Sequence, residues 1–238
     1  MGSLSQRLKS NKWLMNLLYQ FRFHWRGNKA FLSGKQNYIQ TVQAMICDNV
    51  FDIKGSNNNV VIEPGASVKN CKIVILGNNH TLHIGKDVVL TESLIWFEDE
   101  GCTIKFGDRT TMQRHGHVAV TEPNRSILIG EDCMFSFDVD IRNGDSHAIF
   151  ESATGKRINY AKDVHIGNRV WLGAYSQVLG GADIGENAII GIRSLISKPF
   201  PAGCIGAGIP AKVVREGVTW NSQRTYDNNY DSFLNSLS

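Results

Sequence analysis

Apolar side chains mark the later part of this chain at every sixth position: Ile129, Phe135 and Ile141, with His147 in the same register, then Ile166, Leu172, Val178, Ile184, Ile190 and Ile196. Neither the 3.6-residue period of a helix nor the alternation of a two-faced strand produces that spacing. A short fixed period is the signature of a solenoid, and a period of six predicts a parallel β-helix in which each hexad supplies one short strand and one corner. Three hexads, about 18 residues, then close one triangular coil. The first position of each hexad points into the prism, and a small residue four positions later, such as Ala66, Cys133 or Ala188, takes a second inward place. Glycine, Asn, Asp and Glu gather near the corners, where a tight bend needs permissive residues.

Upstream the rhythm loosens. Ile62, Ile84, Phe106 and Ile129 are 22, 22 and 23 positions apart, which predicts coils with a bulge of four or five extra residues at one corner. Downstream it stops once, after Asp145-Ser146-His147, and resumes at Ile166, 19 positions past His147 and one more than a coil. Residues 148–162 are therefore expected to stand out from the prism wall as a protruding loop rooted at His147. The expected organisation is an N-terminal helical cap and connector over 1–41, the β-helix domain over 42–214 and a C-terminal tail over 215–238. In the first segment Leu14, Leu17, Leu18, Phe21 and Trp25 share one helical face, with Lys9, Lys12, Arg22 and Arg26 nearby. Such an amphipathic helix would cover the open strand edges of the first coil; lying on a membrane surface is its second reading. The tail is polar and aromatic without a clean period.

Composition narrows the setting. The 238 residues suffice for one large core. Five cysteines, without a CxxC or a Cys/His zinc spacing, point to a reducing compartment and to small core residues rather than a disulfide framework. A formal charge of +3 without a long basic run gives no support to nucleic-acid binding. No apolar stretch approaches the ~18–20 residues that span a bilayer. The expectation is a cytoplasmic protein, with peripheral contact at the inner membrane through the N-terminal helix left open.

The segments "DIRNGDSHAIF", "RVWLG" and "IGAGIPAKVVR", set in hexads from Ile129 to Arg215, resemble the hexapeptide-repeat acyltransferases, a family with a left-handed β-helix fold. Within it the chain is most similar to bacterial O-acetyltransferases that modify capsular polysaccharide, polysialic acid or lipopolysaccharide. The hand of the coil is implied by the resemblance, since the period does not set it and general sterics favour right-handed crossovers. The "DSH" tripeptide followed by an excursion matches the family's catalytic segment, which implies that His147 is the general base removing a proton from a sugar hydroxyl. Asp145 would orient His147, or a backbone carbonyl would do so instead. The tryptophan matching Trp171 shares the active site in the resembling enzymes, and its backbone N–H is the candidate oxyanion donor; covering the coil wall is its plainer role.

The co-substrate implied is acetyl-CoA. The "IGAGIPAKVVR" loop would close over it, with Lys212 or Arg215 on the 3'-phosphate, Arg193 and Lys198 on other phosphates, and Gly173 and Ala174 giving the pantetheine arm close passage. On the acceptor side, Lys156, Arg157 and Tyr160 in the excursion, with Arg114 and Arg142 on neighbouring coils, would meet an anionic glycan. Family members generally form homotrimers with active sites between adjacent prisms. His115 and His117, with His147 or His165 as a third ligand, would suit a zinc site like that of the carbonic anhydrases sharing this fold, but the tryptophan and the loop favour acetyl transfer and no metal. His80 and His83 are expected to be exposed. The alternatives carried forward are an N-acetyltransferase of a nucleotide-linked amino sugar, a zinc-dependent hydratase and a non-enzymatic glycan-binding solenoid.

Overall fold

The computed structural model describes residues 26–41 and 43–222; the expected N-terminal helix and the chain beyond residue 222 lie outside these residues. The described residues form a parallel β-solenoid, and no helix occurs among them. Its three sheets are the walls of a triangular prism. Sheet A stacks eight strands from Lys29–Ser33 to Leu195–Ile196, sheet B seven from Tyr38–Gln40 to Asp183–Ile184, and sheet C nine from Met45–Cys47 to Ala211–Glu216. Inward residues stack in columns, with Ile62, Ile84, Phe106, Ile129, Ile166 and Ile184 on successive rungs of sheet B. Leu90, Met112, Phe135, Leu172 and Ile190 do the same on sheet C. All of these are buried, as are Ala66, Cys133 and Ala188 in the second inward places. Each large apolar side chain so buried contributes ~1.5–3 kcal/mol, and the columns carry that along the whole prism. The five cysteines are free thiols, four of them buried. Burial pushes Cys71 and Cys133 up to about 11, so both stay protonated packing residues.

The uneven periods upstream arise at the corner between sheets A and B. Early coils take 11 positions from one sheet's inward column to the next, as from Ile73 to Ile84 or Ile95 to Phe106, where Val178 reaches Ile184 in six. A ladder of buried and half-buried side chains holds this longer corner. Asn37 Oδ1 accepts the Asn58 N–H (3.1 Å), Asn58 Oδ1 accepts the His80 N–H (2.9 Å), and His80 Nδ1 accepts the Cys102 N–H (3.1 Å). His80, expected at the surface, is 0% exposed, because it fills the place that Asn58 fills one coil earlier. Accepting at Nδ1 leaves the ring hydrogen on Nε2, which donates to the Leu76 carbonyl at 3.3 Å. Burial holds the His80 pKa below the ordinary imidazole value. His83 is half-buried, with Nε2 3.3 Å from Glu63 Oε1.

Both ends of the solenoid differ from the expected bounds. Lys29–Ser33 pairs with Val50–Lys54 and Tyr38–Gln40 with Asn59–Ile62, so the first coil lies inside the segment read as cap and connector. Its apolar packing comes from Ala30, Ile39 and Ala44, too small or too sparse to announce a hexad. At the other end Ala211–Glu216 folds back antiparallel on Cys204–Gly208, covering the edge of sheet C instead of adding a parallel rung. Residues 217–220 of the expected tail then descend along the corner between sheets B and C. The Val218 N–H donates to the Gly203 carbonyl (2.9 Å), Trp220 Nε1–H to the Arg169 carbonyl (2.7 Å), and Arg169 Nη2 to the Trp220 carbonyl (2.9 Å).

Candidate active site

The interruption in the repeat is a hairpin that grows from the A–B corner. Asn143 closes that corner: its Oδ1 accepts the Thr121 N–H (2.8 Å), its Nδ2 donates to the Thr121 carbonyl (2.9 Å), and its carbonyl accepts the Lys162 N–H (3.1 Å). The two ends of the excursion cross beside Gly144, where a Cβ would lie 2.7 Å from Thr121 Cγ2 and 2.8 Å from Ala161 Cβ, so only glycine fits. The chain therefore leaves the prism before Asp145-Ser146-His147, not after it. Ile141 and Ile166 are 25 positions apart where Val178 and Ile184 are six apart. The inward register expected for His147 is corrected accordingly: His147 is exposed, on the excursion near its root. Farther out, Ile158 N–H donates to the Ile149 carbonyl and Glu151 N–H to the Lys156 carbonyl (2.9 Å each), making a two-stranded tongue.

Three side chains, Glu98, Glu122 and Asn159, fix the root. Glu98 accepts Ser146 Oγ–H on Oε2 (2.7 Å) and Trp96 Nε1–H on Oε1 (2.9 Å). Glu122 pairs with Arg157 and accepts the Ala161 N–H (3.0 Å). Asn159 spans the base of the tongue: Nδ2 donates to the His147 carbonyl (2.7 Å) and to Asp145 Oδ2 (2.9 Å), while Oδ1 accepts the Ile149 N–H (2.7 Å). The role expected of Asp145 is thus corrected. Its carboxylate receives the Asn159 amide, and neither it nor a backbone carbonyl bonds the His147 ring among the described residues.

Trp171 is corrected in the same way. Its backbone N–H donates to the Ala188 carbonyl at 2.9 Å as an ordinary rung of sheet C, so it is not free for an oxyanion. Its indole is 36% exposed on the outer face of sheet C, 5.9 Å between ring centroids from the buried Trp220. Among the described residues nothing bonds this indole to His147, which stands at the opposite, A–B corner.

Two grooves flank the root of the tongue. One, of about 270 Å³, lies on sheet A between Trp96, Ala119 and Arg142 on the floor and Gly144, Asp145 and Ser146 on the wall. The other, of about 240 Å³, is bounded by Arg142, Asp145, Asn159, Tyr160 and Lys162. Of the expected acceptor residues, Arg142 and Tyr160 are brought together here. Lys156 is exposed at the tip of the tongue, Arg114 sits at the C–A corner outside both grooves, and Arg157 is tied to Glu122 beneath the Tyr160 ring (4.8 Å). Arg142 is also paired, its Nε and Nη2 on the Asp140 carboxylate at 3.0 and 3.1 Å. Burial opposes ionisation of Asp140, but hydrogen bonds from His117 and Arg142 outweigh it and hold the carboxyl below its ordinary value. His117 Nδ1 lies 3.0 Å from that carboxylate and so carries the hydrogen.

On sheet C some of the expected cofactor residues fall along one strip. Trp171, Ile189 and Ile205 share one outward column and Gly173, Gly191 and Ala207 the next, ending at the 211–216 strand that exposes Lys212 and Arg215. Ala174 is buried below it and Arg193 lies 5.1 Å over the Tyr175 ring, while the phosphate role expected of Lys198 is corrected, because it follows Leu195–Ile196 of sheet A and is exposed at the A–B corner, off this strip. Tyr175 and Arg193 both adopt positive φ (59° and 56°), a corner conformation that costs side chains of this kind about 1–2 kcal/mol. The strip fits a long flexible thioester, with apolar and small residues along its length and two cations at its end. Among the described residues no group of three or more His, Cys, Asp or Glu could hold a metal ion, and His115 and His117 point to different carboxylates, Asp138 and Asp140. The sequence reading missed Trp96, Glu98, Asn159 and Trp220. Trp96 had a signal, an outward aromatic inside "LIWFE"; the others acquire meaning only through contacts across 12 to 51 positions.

A parallel β-helix on a six-residue period, broken once by a histidine-bearing tongue, is the architecture of a hexapeptide-repeat transferase. Residues 163–198 match the family described as bacterial transferase hexapeptide (six repeats). The chain is 36% identical over 178 residues to the polysialic acid O-acetyltransferase of Neisseria meningitidis, covering 74% of this chain and 81% of that one. It is 33% identical over 121 residues to the polysialic acid O-acetyltransferase of Escherichia coli O1:K1 / APEC, covering 51% of this chain and 39% of that one. The solved structure of the polysialic acid O-acetyltransferase OatWY superposes with a TM-score of 0.78 at 31% identity, covering 87% of this chain and 100% of that one. That of the polysialic acid-specific acetyltransferase NeuO gives 0.76 at 28%, covering 87% and 86%. The chain belongs to the hexapeptide-repeat O-acetyltransferases, and with that membership comes the left-handed coil.

Proposed function

We propose that this protein is an acetyl-CoA-dependent O-acetyltransferase that esterifies a sugar hydroxyl of a bacterial surface polysaccharide of the capsule, polysialic acid or lipopolysaccharide kind. The observation that carries the reading is the likeness to OatWY across that enzyme's whole chain, together with an exposed His147 at the root of the tongue, next in sequence to Asp145 and Ser146 of the groove wall. His147 takes the hydroxyl proton as the oxygen attacks the thioester carbonyl, and returns it to the CoA thiolate as the carbon–sulfur bond breaks. Trp171 acts through its indole, whose Nε1–H has no partner among the described residues, because its amide is held in the ladder. Acetyl-CoA lies along sheet C, its arm over Gly173 and Gly191 and its phosphates toward Lys212 and Arg215.

His147 and the Trp171 strip are on different walls of one prism, and a homotrimer would supply the missing half of each site by placing sheet C of one copy against the tongue of the next. Sedimentation of an active monomer would remove the trimer. The protein is placed in the cytoplasm, where acetyl-CoA is available, with peripheral contact at the inner membrane; recovery from the periplasm would overturn this. No helix among the described residues is long and apolar enough to cross a membrane. The test of the activity is incubation with isotopically labelled acetyl-CoA and a panel of neutral and sialylated oligosaccharides, read by mass spectrometry. Hydroxylamine-labile label on a glycan, lost about 100-fold or more in His147→Ala, is expected; label stable to hydroxylamine would make it an N-acetyltransferase, and near-normal turnover in the variant would remove His147 as base.

A further inference from the structure

The outward column Val74, Trp96, Ala119 and Arg142 runs up sheet A beneath the root of the tongue. Val74 is buried although it faces outward, so the indole of Trp96 is backed on one side. On the other side Ala119 is too small to cover it, and this gap between Trp96 and Arg142 forms the groove of about 270 Å³. That volume is at the small end for ligand sites and suits one compact unit. The ring orientation is fixed, because Trp96 Nε1–H donates to Glu98 Oε1 at 2.9 Å. The other oxygen of Glu98 holds Ser146, the residue before His147, at 2.7 Å, so whatever sits on Trp96 lies against the chain that carries the base.

The charges of this groove are unlike those of an anion site. Its cation, Arg142, is already chelated by Asp140, which also holds His117. Among the described residues Glu98 and Asp145 have only neutral side-chain partners, the Trp96 and Ser146 donors and the Asn159 amide. An aromatic face beside carboxylate acceptors matches the two surfaces of a pyranose, its C–H face and its hydroxyl rim. A carboxylated sugar would meet two uncompensated negative charges.

We propose that this groove is a subsite for one uncharged sugar unit of the acceptor, stacked on Trp96 with hydroxyls donating to Glu98. It rests on the O-acetyltransferase reading for its link to catalysis. The test has a binding arm and a turnover arm, both on the full chain. In the first, tryptophan fluorescence is titrated with a neutral oligosaccharide and with a sialylated one of equal length. The neutral glycan is expected to change the emission of the wild type and not of Trp96→Ala. In the second, Trp96→Ala is expected to raise the acceptor KM by about tenfold, equivalent to ~1.4 kcal/mol, with kcat and the acetyl-CoA KM within about threefold. Trp96→Tyr is expected to recover most of that loss. A response and turnover confined to the sialylated glycan, or an acceptor KM unchanged in Trp96→Ala, would overturn the subsite. A neutral-glycan response that needs Trp96, with no acetyl transfer to any glycan, would remove the O-acetyltransferase reading and leave the subsite standing.

Discussion

Replacing Asn159 by alanine tests whether the tongue positions the base. The substitution deletes two donated hydrogen bonds, to the His147 carbonyl (2.7 Å) and Asp145 (2.9 Å), and two accepted, from the Ile149 N–H (2.7 Å) and Arg157 Nε (3.3 Å). Each is worth ~0.5–1.5 kcal/mol net. Water can replace these partners, and the tongue supplies no inward side chain between Gly144 and Tyr160, so the loss falls on the local geometry rather than on the core. Global stability is expected to fall by no more than ~1 kcal/mol, a melting shift of about 2–4 °C for a chain of this size. Activity is more sensitive, since a catalytic group displaced by ~1 Å costs about 100-fold. The expected result is kcat down by about 30–100-fold with the acetyl-CoA KM within about twofold. Asn159→Asp separates donor loss from side-chain loss: it keeps an acceptor for Ile149 but sets a second carboxylate against Asp145, and is expected to be at least as impaired at neutral pH, with its activity relative to wild type at the same pH rising as the pH falls toward the carboxylate range. Steady-state kinetics of both variants beside calorimetric melting is the assay. A kcat within about threefold of wild type, or a collapse of the melting transition, would refute the positioning role.

Trp171→Phe keeps an aromatic face on sheet C and the backbone rung to Ala188 but removes the indole N–H; kcat is expected to fall by about 10-fold or more, whereas unchanged turnover would exclude the indole as a donor. Lys212→Ala is expected to raise the acetyl-CoA KM several-fold and leave the acceptor KM alone, with a parallel change in both arguing against a phosphate contact at the 211–216 strand. His80 is neutral in the folded chain with its pKa depressed by burial, so its contribution is intact above the unfolded value of about 6.5 and is lost as the pH falls from there through the folded value. His80→Asn, copying Asn58 one coil earlier, is expected to flatten the stability loss below pH ~6.5 in denaturant melts; an identical pH profile would show that His80 is not its source.

The repeat could be read in the chain because a triangular coil leaves each inward position only one chemistry, and six consecutive hexads without insertions display it cleanly from Ile166 to Ile196. The same logic hid the first described coil, where the partly buried apolar residues are Ala30, Ile39 and Ala44. His80 was misjudged because its place in the ladder is set by Asn58 and Cys102, each 22 positions away. His147 was found by its neighbours in sequence, but its placement was misread because the departure point depends on Gly144 meeting Ala161 and on Asn143 bonding Thr121. The donor assigned to Trp171 failed for a more general reason. Every amide on a solenoid wall is committed to the next coil, so a main-chain N–H there is available only at an edge, a corner or an excursion. That constraint accounts for where function gathers in this molecule. The A–B corner is the one that already carries extra residues in the early coils, so a tongue can be inserted there without disturbing the hexads on either side, and the residues free to do chemistry are those the ladder has released.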